Sequence, residues 1–175
     1  MNEVIKTIQS RKSIRKFSGE PFPKSDLQEI LKTGFSAPNA GNRQPWRVVI
    51  VKDRGKRKQL AIAAFGQSFI AQASVLLVVC AVPYESAKRY KERGATLYAL
   101  QDTAALTQNM LLAAHALGYA TCWIGAFDED EVSKIINVPE GMRPVSMIPI
   151  GYSNGKDTPK RQRRPIGEVV IEEEF

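Results

Sequence analysis

Histidine is almost missing from this 175-residue chain: His115 is the one copy. Cysteine is limited to Cys80 and Cys122, each inside an apolar run. A Ser–His or Cys–His nucleophile would have to be built around His115, which lies deep in an apolar segment and reads as a core or interface histidine. One histidine and two distant cysteines cannot supply the three or four ligands of a zinc site. Two cysteines also make no disulfide framework and suit a reducing compartment. The N-terminus has no apolar h-region, so the expected location is the cytoplasm. The glycine signatures of nucleotide sites are missing too. No G-x-G-x-x-G occurs, which argues against a Rossmann site. The Gly151–Lys156 stretch falls short of a Walker A motif: three residues separate its glycines instead of four, and Asp157 stands where Ser or Thr should hold magnesium. The longest apolar segment, 96–117, carries Gln101, Asp102, Gln108 and Asn109 and is too polar to span a membrane. There is no internal repeat and no low-complexity linker.

What the chain does have is positive charge in two places. Lys and Arg total 25 against 18 Asp and Glu, for a net charge of +7. Arg11, Lys12, Arg15 and Lys16 form one cluster; Lys160, Arg161, Arg163 and Arg164 form another. Solubility alone could account for this charge, and so could an anionic ligand. Neither cluster is interleaved with aromatics and no zinc-finger or RNP-like pattern accompanies them, so nucleic acid is not the expected partner. The length and a 43% apolar content suit one domain over 1–175 with a sizeable core, closed by a C-terminal arm from about 153 to 175.

The periodicity predicts a mixed α and β order without strict βαβ alternation. Short helices are expected at 2–9 and 54–64. Another should run from 25 to 34, opened by the capping box Ser25–Gln28 and closed by Gly34 as C-cap. Strands are expected at 48–51, 74–82 and 145–152, the second ended by Pro83. Residues 84–93 read as helical or mobile. The 96–117 segment, roughly 33 Å long if helical, is apolar nearly all round and so expected to be buried on most faces. Gly118 ends it. Strand then loop should follow over 119–127, and a helix with acids at its positive end starts at Asp128. The fold class is α+β, a central mixed sheet flanked by helices with a long buried central helix.

Two segments carry chemistry. Between Ser10 and Lys16 stand four cations and two hydroxyls. Arg11, Ser13 and Arg15 alternate, so an extended backbone puts them on one face. A phosphate monoester carries close to two charges, arginine can grip it bidentately, and a serine hydroxyl can fill a remaining lone pair. Arg161 and Arg163 repeat the spacing. The second segment, Ala37-Pro38-Asn39-Ala40-Gly41-Asn42-Arg43-Gln44-Pro45-Trp46, offers side-chain amides on a Pro/Gly-bounded loop, suited to a flat heterocycle. Together they point to a phosphate-bearing aromatic cofactor.

These residues resemble the nitroreductase family of FMN-dependent oxidoreductases in its small single-domain form. The resemblance covers almost the whole chain. It rests on Arg11-Lys12-Ser13-Ile14-Arg15, Ala37-Pro38 through Gln44-Pro45-Trp46, Thr107-Gln108-Asn109, Gly118 through Cys122-Trp123-Ile124-Gly125-Ala126-Phe127, and the Arg-rich arm. It implies an intertwined homodimer with two FMN sites built from both subunits, the long helix lying in the interface. It implies phosphate contacts from Arg11, Ser13, Arg161 and Arg163, with Lys12 also in the cofactor-binding set, and Arg15 at the pyrimidine edge and ribityl chain. Pro38, Asn39, Ala40 and Asn42 match the loop donated by the partner, and Gln44 a flavin-proximal amide. Ile124, Gly125 and Ala126 match the backbone beside N5, and Gln67 is the candidate for a mid-chain amide ligand. The chain departs from the family at Asn39 and Ala40, where many members have serines, and at Gly125, where some carry a glutamate. The implied activity is reduction of nitroaromatic, quinone or similar acceptors by NAD(P)H in ping-pong order. A protein that stores or senses FMN without turnover is the alternative.

Overall fold

A computed structural model describes residues 2–155 and 162–174. Four strands, β1 (Trp46–Val51), β2 (Val75–Ala81), β3 (Ala120–Thr121) and β4 (Arg143–Gly151), form one sheet in the order β1-β2-β4-β3. Every strand pair in it is antiparallel. Parallel pairing enters at one isolated bridge, Ser13 with Thr121. The class is α+β, as the sequence predicts.

The uninterrupted apolar run of β2 has a direct cause: all seven of its residues are buried, and helices cover both faces of the sheet. Val75, Leu77 and Val79 point to one side, with Leu27 and Ile30 of α2 (Lys24–Phe35) and Leu106, Met110 and Ala114 of α5 (Ala99–Ala116). Leu76, Val78 and Cys80 point to the other, with Leu60 and Ala61 of α3 (Arg54–Ala63) and Val132 of α6 (Glu129–Ile136). Each fully buried Leu, Ile or Met contributes about 1.5–3 kcal/mol. Between β2 and β4 the register slips at Val79/Cys80, where Pro144 enters the ladder without an N–H to donate. The acids of α6 sit in its first turn as expected, and Asp128 caps it by accepting from the Glu131 N–H at 2.9 Å.

Three expectations need correction. The capping box at Ser25 is not made: α2 starts earlier, at Lys24 after Pro23 and without a side-chain cap, which puts Ser25 inside the helix, its Oγ donating to Asp26 Oδ1 at 3.1 Å. Only Ala120 and Thr121 of the 119–127 segment form a strand. Gly34 is no C-cap but a buried residue of α2, and a Cβ there would lie 2.5 Å from Cγ of the fully buried Met110. The glycine is there to let α2 approach α5.

The long helix is also more complex than expected. α4 (Pro83–Arg93), with proline in its first turn, breaks at Lys91, where φ is 50° and ψ −133°, and then leads through a π-helical turn, Gly94–Tyr98, into α5. α5 buries Asp102, Thr103, Leu106, Thr107, Met110, Leu111 and Ala114, one face at helical spacing. Its opposite side, with Ala104, Gln108 and Leu112, is only half-buried. Among the described residues no helix is long and apolar enough to cross a membrane. Gly34→Val should lower stability by about 1–3 kcal/mol through overpacking at the α2–α5 contact, read as a reduced urea midpoint with an unchanged slope; an unchanged midpoint would show that this contact is loose.

Candidate functional site

Helix α1 (Glu3–Ser10) ends where Arg11 turns extended, at φ −57° and ψ 133°. The next residues form a strap laid along the sheet end. The Ile14 N–H donates to Thr121 O at 2.8 Å, the Ser18 N–H to Tyr152 O at 3.0 Å, and the Asn154 N–H to Lys16 O at 3.0 Å. Phe17, 3% exposed, plugs the strap into a small core with Ala73 and Ala120, its ring stacked 6.5 Å from Phe69. Arg15, Ser13 and Arg11 all bear on the Cys122 thiol and favour its charged form, while the thiol itself donates to Trp123 O at 3.6 Å. Lys12, with Arg11, lies near His115, whose Nε2 is 2.8 Å from Ser10 Oγ.

Burial pushes the Cys122 thiol above its ordinary value, against the opposing pull of Arg15, Ser13 and Arg11. Burial, Arg11 and Lys12 push His115 below its own, which keeps the imidazole neutral at pH 7. The thiol and the ring beside the strap are thus both neutral, and Arg11, Ser13 and Arg15 offer donors to a bound anion.

Thr121 and Cys122 lead directly into the turn 124–126. Ile124 exchanges both backbone hydrogen bonds with Met147 at 2.9 Å, so its N–H is committed to the sheet. Gly125 and Ala126 are exposed, and a Cβ on Gly125 would meet just Trp123 Nε1, at 3.9 Å. That open backbone admits a flat ring. Gln67 Nε2 donates to Ala64 O at 3.0 Å and Ala126 O at 3.1 Å, bracing the turn. An anion cradle beside an open turn is the donor set that a phosphate-bearing flavin requires.

The amide loop is built differently. The Ala40 N–H donates to both oxygens of the buried Asp102 carboxylate, at 3.1 and 3.2 Å. Asn39 Oδ1 accepts from the Gln44 N–H at 2.8 Å, and Arg43 Nε donates to Glu85 O at 3.1 Å. Gly41, Asn42 and Gln44 all take positive φ, between 49° and 55°. Asn39 is therefore spent inside the loop, while Pro38, Asn42 and Gln44 face outward. Asp102 is the anchor that the sequence reading missed; a lone carboxylate within an apolar helix was its signal. Burial pushes its pKa up and the Ala40 N–H pulls it back.

Loop and strap do not meet in one chain. Ala40 hangs from Asp102 near the start of α5, and Ser10 from His115 near its end. At 1.5 Å per residue, those anchors are about 20 Å apart along the helix. Arg163 is exposed in the C-terminal arm, and Arg161 lies outside the described residues.

The chain matches the nitroreductase family over residues 8–68 and 58–152. It belongs to that family. A protein of Archaeoglobus fulgidus is 37% identical over 157 residues, 87% of this chain and 86% of that protein. The NAD(P)H FMN reductase of Bacillus subtilis is 29% identical over 188 residues, spanning 100% of this chain and 75% of its own length. The structure of NADPH:FMN oxidoreductase from Vibrio harveyi, complexed with NAD+, superposes with a TM-score of 0.91 at 28% identity, over 99% of this chain and 78% of that chain.

Within the nitroreductase fold, Cys122 sits between strap and turn, 1% exposed, and Cys80, 2% exposed, has its thiol pushed up to about 11 by burial. Both thiols should resist alkylation at pH 7 in the native protein and react in denaturant. Fast native labelling of Cys122 would show that the packing between strap and turn opens to solvent.

Proposed function

We propose that this chain is an FMN-dependent oxidoreductase that carries reducing equivalents from NAD(P)H to a small oxidised acceptor, a nitroaromatic or quinone, in ping-pong order, as a homodimer whose sites are shared between two copies. The observation that carries this reading is the gathering of Arg11, Ser13 and Arg15 about one point of the strap, beside Cys122, set against an open glycine turn. FMN, when bound, supplies a ring that accepts hydride at N5 and returns it.

The chain's own residues have separate tasks in this reading. Arg11, Lys12 and Ser13, with Arg161 and Arg163 of the arm, hold the phosphate. Arg15, two residues further along the strap, faces the pyrimidine edge, where a fixed cation favours the charge that develops on reduction. The exposed backbone of Gly125 and Ala126 lies beside N5, with Ile124 and Gln67 holding that turn in place. Pro38, Asn39, Ala40, Asn42 and Gln44 come from the second copy, whose α5 runs the other way and so closes the 20 Å gap. The surface supports such pairing: Val4, Ile5 and Ile8 of α1, with no buried residue, are about half exposed or more, as are Val169, Val170 and Ile171 of the arm. An apolar area of this kind on a single chain calls for a cover. The names of the relatives, which pair FMN with NAD(P)H, support cofactor and donor alike.

Arg11→Ala should weaken FMN binding by about tenfold or more, the loss of a charge-assisted bond of about 1.5–3 kcal/mol. Riboflavin, which lacks the phosphate, should bind the variant nearly as well as the wild type. Equal losses for both would mean that Arg11 supports the fold instead.

Anaerobic mixing with NADH or NADPH tests the reaction itself. The FMN-loaded protein should bleach within its turnover time and regain colour on adding a quinone. A flavin that neither nucleotide bleaches would favour the storage or sensor role.

A further inference from the structure

A second cationic cleft lies away from the flavin site, on the far side of Phe17. Ser18, Gly19, Arg54, Arg57 and Gln72 line a hollow of about 260 Å³. Arg57 is the unusual member. It is 7% exposed, and its Nε is buried without an acceptor among the described residues. One Nη1 donates to Lys52 O, at the β1–α3 connection. Arg54 stands close enough to repel it. Asp53 acts on Arg57 in the opposite sense, but more weakly than Arg54, and its Oδ1 is committed to the Lys56 N–H at 2.7 Å as the α3 cap. A buried guanidinium stays charged, and burying it without a full partner is unfavourable. Two arginines, a hydroxyl and a carboxamide around one hollow are donors in need of an acceptor-rich dianion.

We propose that this cleft is a phosphate-class anion site, with Arg54 and Arg57 gripping the oxygens, and Ser18 and Gln72 completing the shell. The ligand is inorganic phosphate or the head of a small phosphate ester. Ser18 and Gly19 continue the strap that carries Arg11, Ser13 and Arg15, so occupancy would stiffen that strap from its far end.

Calorimetric titration of FMN-saturated full-length protein tests the site, with inorganic phosphate and glycerol phosphate as probes and chloride at matched ionic strength as control. One phosphate-class anion should bind per chain. Arg54→Gln should weaken it by about tenfold and Ser18→Ala severalfold, with FMN content unchanged. Tighter binding of the ester would identify an ester head as the ligand; equal or weaker binding would identify free phosphate. Arg54 is exposed, so its variant should fold even if Arg57→Gln does not. No saturable binding beyond chloride, or binding that survives Arg54→Gln and disappears in Arg11→Ala, would overturn the proposal. Failure of the flavin reading would show separately, as protein that takes up no FMN yet still titrates with phosphate through Arg54.

Discussion

Three backbone hydrogen bonds hold the strap, and the site hangs on them. Ile14 to Thr121, Ser18 to Tyr152 and Asn154 to Lys16 clamp an otherwise irregular segment against the sheet end. Each is worth about 1 kcal/mol alone, yet together with the Phe17 plug they remove the freedom to rotate the strap. An extended backbone alternates its side chains, so the clamp converts sequence spacing into a face that presents Arg11, Ser13 and Arg15. Without the clamp the same arginines would be solvated surface charges.

The sheet supplies the rigid reference. β2, buried on both faces, cannot slip register without moving apolar side chains out of two cores at once. α5 then acts as a spacer across that sheet. Its buried polar contacts, Thr107 with Ser146 at 3.0 Å and Asp102 with the Ala40 N–H, fix it laterally and hang the amide loop from one end. The distance between the amide loop and the strap follows from helix rise, because their anchors, Asp102 and His115, stand thirteen residues apart on α5.

Charge explains the rest. The polar groups nearest the strap's cations are a thiol and an imidazole, both kept neutral by burial. At Arg57 a cation is buried with few partners. Such burial of positive charge at Arg57 is unfavourable until an anion arrives and favourable from then on.

Much of this was legible in the residues. The Arg-x-Ser-x-Arg alternation, the amide loop, the apolar β2 run and the acidic start of α6 are local patterns, and local patterns determine which side chains share a face. Gly34 read wrongly because a glycine near a helix end looks like a cap, whereas its neighbour Met110 comes from a helix 76 residues away. Asp102 and Arg57 passed as ordinary charges for the same reason: their meaning lies in Ala40, and in Ser18 and Gln72, which sequence distance hides. The sequence by itself determined the chemistry available, the periods of its helices and strands, and the family. Tertiary structure alone decided which of those groups converge and which stand a helix length apart, because contacts between distant segments are set by packing against a shared core and not by spacing along the chain.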